Sequence, residues 1–281
     1  MSIFLEPFQF EFFRNGALAA VMTGALCGAI GVYIVLRGMS YIGHGLSHAI
    51  FGGAVVSYVI AWNFYIGAGL WGFLAALLIN QTVRRTRVSA DAAIGVVTTA
   101  SFAIGVALIS RYRHFTQNFD AALFGNILGV SQGDVAVVAG VTVLVGLFLF
   151  FQYRQLLFTT FDTQVAAVYG VRTQWVDTLF SLALAAALIA SMQILGVTLI
   201  AAALVIPAIT SRLLTDSFPR MLLSSILIGA LTALTGLYLS YFLDVASGAT
   251  IVLVQATLFI GALIYSSLRR RMGQRLNNVH V

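Results

Sequence analysis

The chain has 281 residues, 60% of them hydrophobic and only 9% charged, with 15 Lys and Arg against 9 Asp and Glu. A soluble domain carries roughly 25% charged residues to keep its surface solvated, so a soluble enzyme is excluded. Disorder is excluded as well, because it needs low hydrophobicity and high net charge. The chain is an integral membrane protein, and its long unbroken apolar runs argue against a β-barrel, whose strands alternate apolar and polar residues.

The apolar runs, taken in order, set the expected elements. The first, 15–36, has 22 residues and follows a start bearing Glu6 and Glu11 in place of a basic region; it reads as a retained span, too long for a signal-peptide core. The 38–83 run, 46 residues long, is too long for one crossing of about 20 residues. It divides at Asn63-Phe64-Tyr65-Ile66-Gly67. Single spans follow at 92–110 and 135–153. The 178–211 run, 34 residues long, has a hairpin signal at Met192-Gln193-Ile194-Leu195-Gly196. The last two spans are 221–243 and 245–268.

Nine crossings result, with eight as the alternative count. Basic residues gather on the cytoplasmic side of membrane proteins. Nine crossings put Arg84, Arg85 and Arg87 there, together with Arg154 and Arg172, Arg212 and Arg220, and Arg269, Arg270, Arg271 and Arg275. Arg111 and Arg113 fall outside, the one violation. The expected fold is therefore all-α: a polytopic transmembrane helical bundle of 8–9 spans, N-terminus outside and C-terminus cytoplasmic, with 1–281 as a single transmembrane domain. The net charge of +6 is accounted for by these clusters and does not point to nucleic acid.

Two connections stand out. The outer loop 111–134 contains Phe124-Gly125-Asn126-Ile127-Leu128-Gly129, apolar enough to lie back on the membrane face. The inner segment 161–170 reads as a short amphipathic helix, capped by Asp162 or Thr163 and ended by Gly170. It serves either as an interfacial anchor or as a docking element for a soluble partner. Gly24 and Gly28, four apart, have the spacing of close helix packing. Cys27 is the single cysteine, so no disulfide forms within the chain.

An ionisable residue inside a span marks a functional site by default. His44 and His48 are one turn apart on one helical face, the spacing by which a helix offers two nitrogens to one divalent cation. Ser47 and carbonyls opened by Gly43 and Gly45 would add to them, as would a short break in the helix. The alternative is a hydrogen-bonded structural pair near the cytoplasmic end of the second span. A ligand imidazole must be neutral, so binding weakens as pH falls through the imidazole range. His114 in the outer loop and His280 in the tail read as solvated. Asp91 reads as an N-cap and Asp244 as an outer turn and cap, while Pro207 is expected to kink its helix. There is no phosphate-binding loop, nucleophile elbow or HExxH, so the chain is not an enzyme and has no ATPase site of its own.

Five blocks in order carry a family resemblance: the run Leu36 to Ala49, with Gly43-His44-Gly45-Leu46-Ser47-His48-Ala49 at its end; Asp91-Ala92-Ala93-Ile94-Gly95; Leu123-Phe124-Gly125-Asn126-Ile127-Leu128-Gly129; Leu204-Val205-Ile206-Pro207-Ala208; and Ser247-Gly248-Ala249-Thr250-Ile251-Val252. The chain resembles the manganese/zinc/iron ABC importer permeases. That resemblance implies a homodimeric permease in the bacterial inner membrane, served by cytoplasmic ATPase subunits and an extracytoplasmic metal-binding protein. It also implies that 161–170 is the ATPase-coupling helix. In the family an acidic residue and the following His of "GDxxSHA" are implicated in cation binding. Here the His matches as His48, but the acidic position is His44. Carboxylates suit Mn²⁺ and imidazoles suit Zn²⁺, so the expected metal leans to zinc over manganese. A further ligand, from the dimer mate, would complete the set. The rival functions are an ion-coupled secondary metal transporter and an intramembrane assembly protein with a structural histidine pair.

Overall fold

The computed structural model describes residues 6–112 and 123–277; Arg113, His114 and His280 lie outside the described residues. Eleven α-helices are described and no strand. They are α1 Glu11–Leu36, α2 Ser40–Val59, α3 Phe64–Arg85, α4 Ala90–Arg111, α5 Gln132–Phe151, α6 Tyr153–Phe161, α7 Thr163–Val168, α8 Thr173–Leu195, α9 Ile200–Leu214, α10 Phe218–Leu243 and α11 Ser247–Asn277. Every apolar run becomes a helix, and both long runs divide. Seven helices (α1, α3, α4, α5, α8, α10 and α11) are long and apolar enough to cross a membrane. α2 carries both histidines and four glycines. α9 has 15 residues, about 22 Å of helix, against the roughly 30 Å of a hydrocarbon core.

Local chemistry moved several boundaries. The turn between α2 and α3 comes earlier than its expected centre. Ala61 takes a positive φ of 56° there, and the Asn63 side chain accepts from the Tyr65 amide at 2.9 Å, starting α3 at once. Between α8 and α9 the helix is broken at Gly196, whose φ of +78° suits glycine. Ser89, and not Asp91, caps α4: its Oγ accepts from the Ala92 amide. Asp91 sits in the first turn, where a carboxylate favours the helix dipole. Asp244 closes α10 in the left-handed region. Pro207 lies buried inside α9, and the helix runs on through it. Past α5 the chain forms a further short helix, α6, at Tyr153–Phe161.

The core is built around α1, the most enclosed of the spanning helices. Glycines let α10 and α9 approach its backbone. A Cβ on Gly24 would lie 2.2 Å from the Gly229 carbonyl oxygen, and one on Gly31 would lie 2.0 Å from that of Leu204. The described part of the 111–134 connection packs against the bundle at Ile127. Ile127 is fully buried, and Gly16 of α1 leaves room for its backbone.

Helix direction collects charge at one end. Val32, Ala208 and Met221 pack together, so the C-terminal ends of α1 and α9 meet the start of α10, near Arg212 and Arg220. Arg84 donates to the Gln174 carbonyl, bringing the end of α3 to the start of α8 beside Arg172. Arg111 ends α4 at the opposite end.

Candidate metal-transfer site

α2 is an unbroken helix through both histidines, so Gly43 and Gly45 do not open it. Gly45 has a steric role, since Ile94 and Thr98 of α4 press on it, whereas a Cβ on Gly43 would meet only Leu204 at 3.9 Å. The His44 and His48 rings stand edge-to-face with centroids 4.6 Å apart, within reach of a single ion held at about 2.0–2.1 Å per nitrogen. The next ring, Phe102 of α4, lies 4.9 Å from His48, again edge-on. Both histidines are half-buried. His48 Nδ1 is shut away from solvent without a hydrogen-bond partner, a buried polar atom of a kind that native folds seldom leave idle.

The helix register places His48 deeper than the sequence suggested, with His44 one turn nearer the start of α2. Phe102 lies twelve residues from the Ala90 end of α4 and nine from the Arg111 end, about 18 Å and 14 Å along the axis. His48 beside it is therefore near the middle of that span. The break expected in α2 occurs in its neighbour. Ser47 Oγ donates to the Val197 carbonyl at 3.1 Å, in the irregular stretch between α8 and α9. Non-helical backbone at such depth is tolerated where protein or a cavity surrounds it. Against the break sits the segment 123–127. Leu123 accepts from the amide and the hydroxyl of Thr198, the Asn126 amide donates to Gln193, and the Ile127 amide donates to the Ser247 hydroxyl.

Among the described residues no group of three His, Cys, Asp or Glu side chains could hold a metal. Among the described residues, then, the His44 and His48 imidazoles have no third such side chain beside them.

At the basic end, Arg37 follows α1 with a side chain 8% exposed. Its Nη1 meets Asp177 of α8 at 2.9 Å, Nη2 donates to Thr159 and Nε to Thr160, both on α6. Phe180 lies under the guanidinium, 4.6 Å from it. Burial pulls the Arg37 pKa down, and the Asp177 carboxylate opposes that shift. Nothing in the charge-run pattern singled Arg37 out, although a lone arginine between two long apolar runs is a signal in itself. A cavity of about 330 Å³ opens between these residues, Met39 just before α2 and Ile42 within it.

Beyond α6, Asp162 caps α7 by accepting from the Gln164 and Val165 amides at 2.9 Å, and Gly170 ends the turn at φ +79°. Asp162→Ala should weaken this cap by about 1 kcal/mol. Amide exchange across 163–168 should then quicken while that of α8 stays unchanged. Equal exchange in both proteins would show that packing, not the cap, holds the turn.

A bundle of apolar helices, with a histidine pair beside an interrupted helix and short helices at its basic end, defines a multi-pass transport subunit. The ABC 3 transport family matches residues 9–266. Manganese transport system membrane protein MntC of Halalkalibacterium halodurans is 39% identical over 263 residues, 94% of this chain and 90% of its own length. Manganese import system permease protein ScaB of Streptococcus parasanguinis is 36% identical over 270 residues, 96% of each chain. The solved structure of PsaBC from Streptococcus pneumoniae in complex with Fab superposes with a TM-score of 0.84 at 33% identity, covering 92% of this chain and 94% of that one. The chain belongs to the ABC 3 transport family, that of the metal ABC importer permeases, and is a multi-pass protein of the bacterial inner membrane.

Proposed function

We propose that this chain is the permease through which a divalent transition metal enters the cell, driven by ATP hydrolysed on separate cytoplasmic subunits. The observation that carries the reading is the pair His44 and His48, adjacent at mid-span with a donor nitrogen left unpartnered. A transport site must bind tightly enough to select and loosely enough to release, which an incomplete ligand set meets. A second copy of the chain supplies the remaining ligand, and an extracytoplasmic metal-binding protein delivers the ion.

Counting α2 and α9 with the seven long apolar helices gives nine crossings, and with the arginine-rich end inside these support an outer N-terminus and a cytoplasmic C-terminus. α7 then projects on the ATPase side. Phe161, Val168 and Tyr169 around it are exposed, Val168 at 85%; an apolar surface of this kind on a soluble face marks a partner site. We take 161–170 as the coupling helix.

The relatives' names support manganese as cargo. The donor set, two imidazoles with no carboxylate beside them, supports zinc and is the reading adopted here. The test is purification in mild detergent followed by reconstitution. An ATPase subunit should come down with the permease, and zinc should compete with labelled manganese for ATP-driven uptake at sub-stoichiometric concentration. Transport without any ATPase would establish the ion-coupled alternative instead. If manganese outcompetes zinc, the zinc assignment fails and the importer reading stands.

A further inference from the structure

We propose that Arg37 is the positioning residue that ties movement of the α6–α7 arm to the helix carrying His44 and His48, an inference that rests on the importer reading of that pair. The chain order makes the link short. Arg37 caps α1, with its amide donating to the Tyr33 carbonyl, and α2 begins three residues later at Ser40. Between them Gly38 turns the chain at a positive φ of 67°, and the Gly38 and Met39 amides donate back to the Val35 and Ile34 carbonyls, so the start of α2 follows the end of α1.

The guanidinium is held from three directions at once. Its donors reach Asp177 at 2.9 Å, Thr159 at 2.8 Å and Thr160 at 3.1 Å, and its plane lies over Phe180. A planar fork with five donors can satisfy all of these together; an ammonium on a flexible stem cannot. α6 passes directly into α7 at Asp162, so any force on α7 pulls on Thr159 and Thr160. Arg37 passes that pull to the α1–α2 joint, while Asp177 anchors the other side of the bracket to α8. The 330 Å³ cavity lies between the bracket and the first turn of α2, leaving room for the shift.

The test compares ATP hydrolysis with metal uptake in proteoliposomes holding the whole transporter and loaded binding protein, with zinc and manganese as probes. Arg37→Lys should keep ATP hydrolysis near the wild-type rate while uptake per ATP falls about tenfold, in the range of coupling losses for residues linking two sites. Thr159→Val with Thr160→Val leaves the Asp177 ion pair in place. It should lower uptake per ATP in the same direction, and it decides the matter if the Arg37 variant does not assemble. Wild-type uptake per ATP in an assembled variant overturns the proposal. A wild-type complex that shows no ATP-driven uptake at all instead overturns the importer reading beneath it.

Discussion

His48→Ala should lower metal uptake by roughly tenfold or more, since even partners that only orient a ligand cost tenfold or more when lost. The protein should still insert and reach normal abundance, because His48 is only half-buried and makes edge contacts with His44 and Phe102. No described hydrogen bond of Nδ1 is broken by the change. His44 supplies the companion experiment. His44→Asp places a carboxylate beside an imidazole. That pair should move preference from zinc towards manganese at similar total uptake. The measurement is cellular metal content with ATPase subunits co-expressed. Unchanged uptake by His48→Ala at normal expression would remove His48 from the mechanism.

Gly28→Val should damage the fold severely. The added Cβ would lie 2.4 Å from the Ser225 carbonyl oxygen and 3.1 Å from the Ile226 α-carbon. Both are backbone atoms of α10, so no side chain can rotate away and the helices must part. Ser225 Oγ donates to the Gly28 carbonyl at 2.7 Å, a bond that the separation stretches or breaks. Overpacking and the lost hydrogen bond together cost about 3 kcal/mol or more. Thermal unfolding in detergent should register this as a large fall in midpoint. Gly261→Ala is the control: it has nothing within 4 Å of the added carbon and should leave the midpoint in place. Equal behaviour of the two variants would show that the α1–α10 seam tolerates separation.

The helices themselves were legible from hydropathy because a spanning segment must satisfy its own backbone and present apolar side chains to lipid. Spacing likewise carried the close approach at Gly24 and Gly28 and the adjacency of His44 and His48, both being one-turn relations within a helix. Caps were readable in kind but not always in residue: Ser89 took the place expected of Asp91, since the position one turn before the third amide was already filled by a hydroxyl. α6 went unread because Tyr153 to Phe161 mixes apolar and polar residues too evenly to stand out against the spans around it.

What the sequence by itself determined is the class of the protein, its apolar elements and the pairing of two histidines, all consequences of composition or of contacts within four residues. The depth of that pair required the packing of α2 against α4, which sets His48 beside Phe102. The broken stretch at 196–199 became part of the site only because Ser47 reaches Val197 from 150 residues away. Arg37 acquired a role only when α6 and α8 closed around it, with partners 122 to 140 residues distant. Hydropathy reports each segment's exchange with lipid or water. It carries no term for which segment a buried donor meets, so only the tertiary structure decided those contacts.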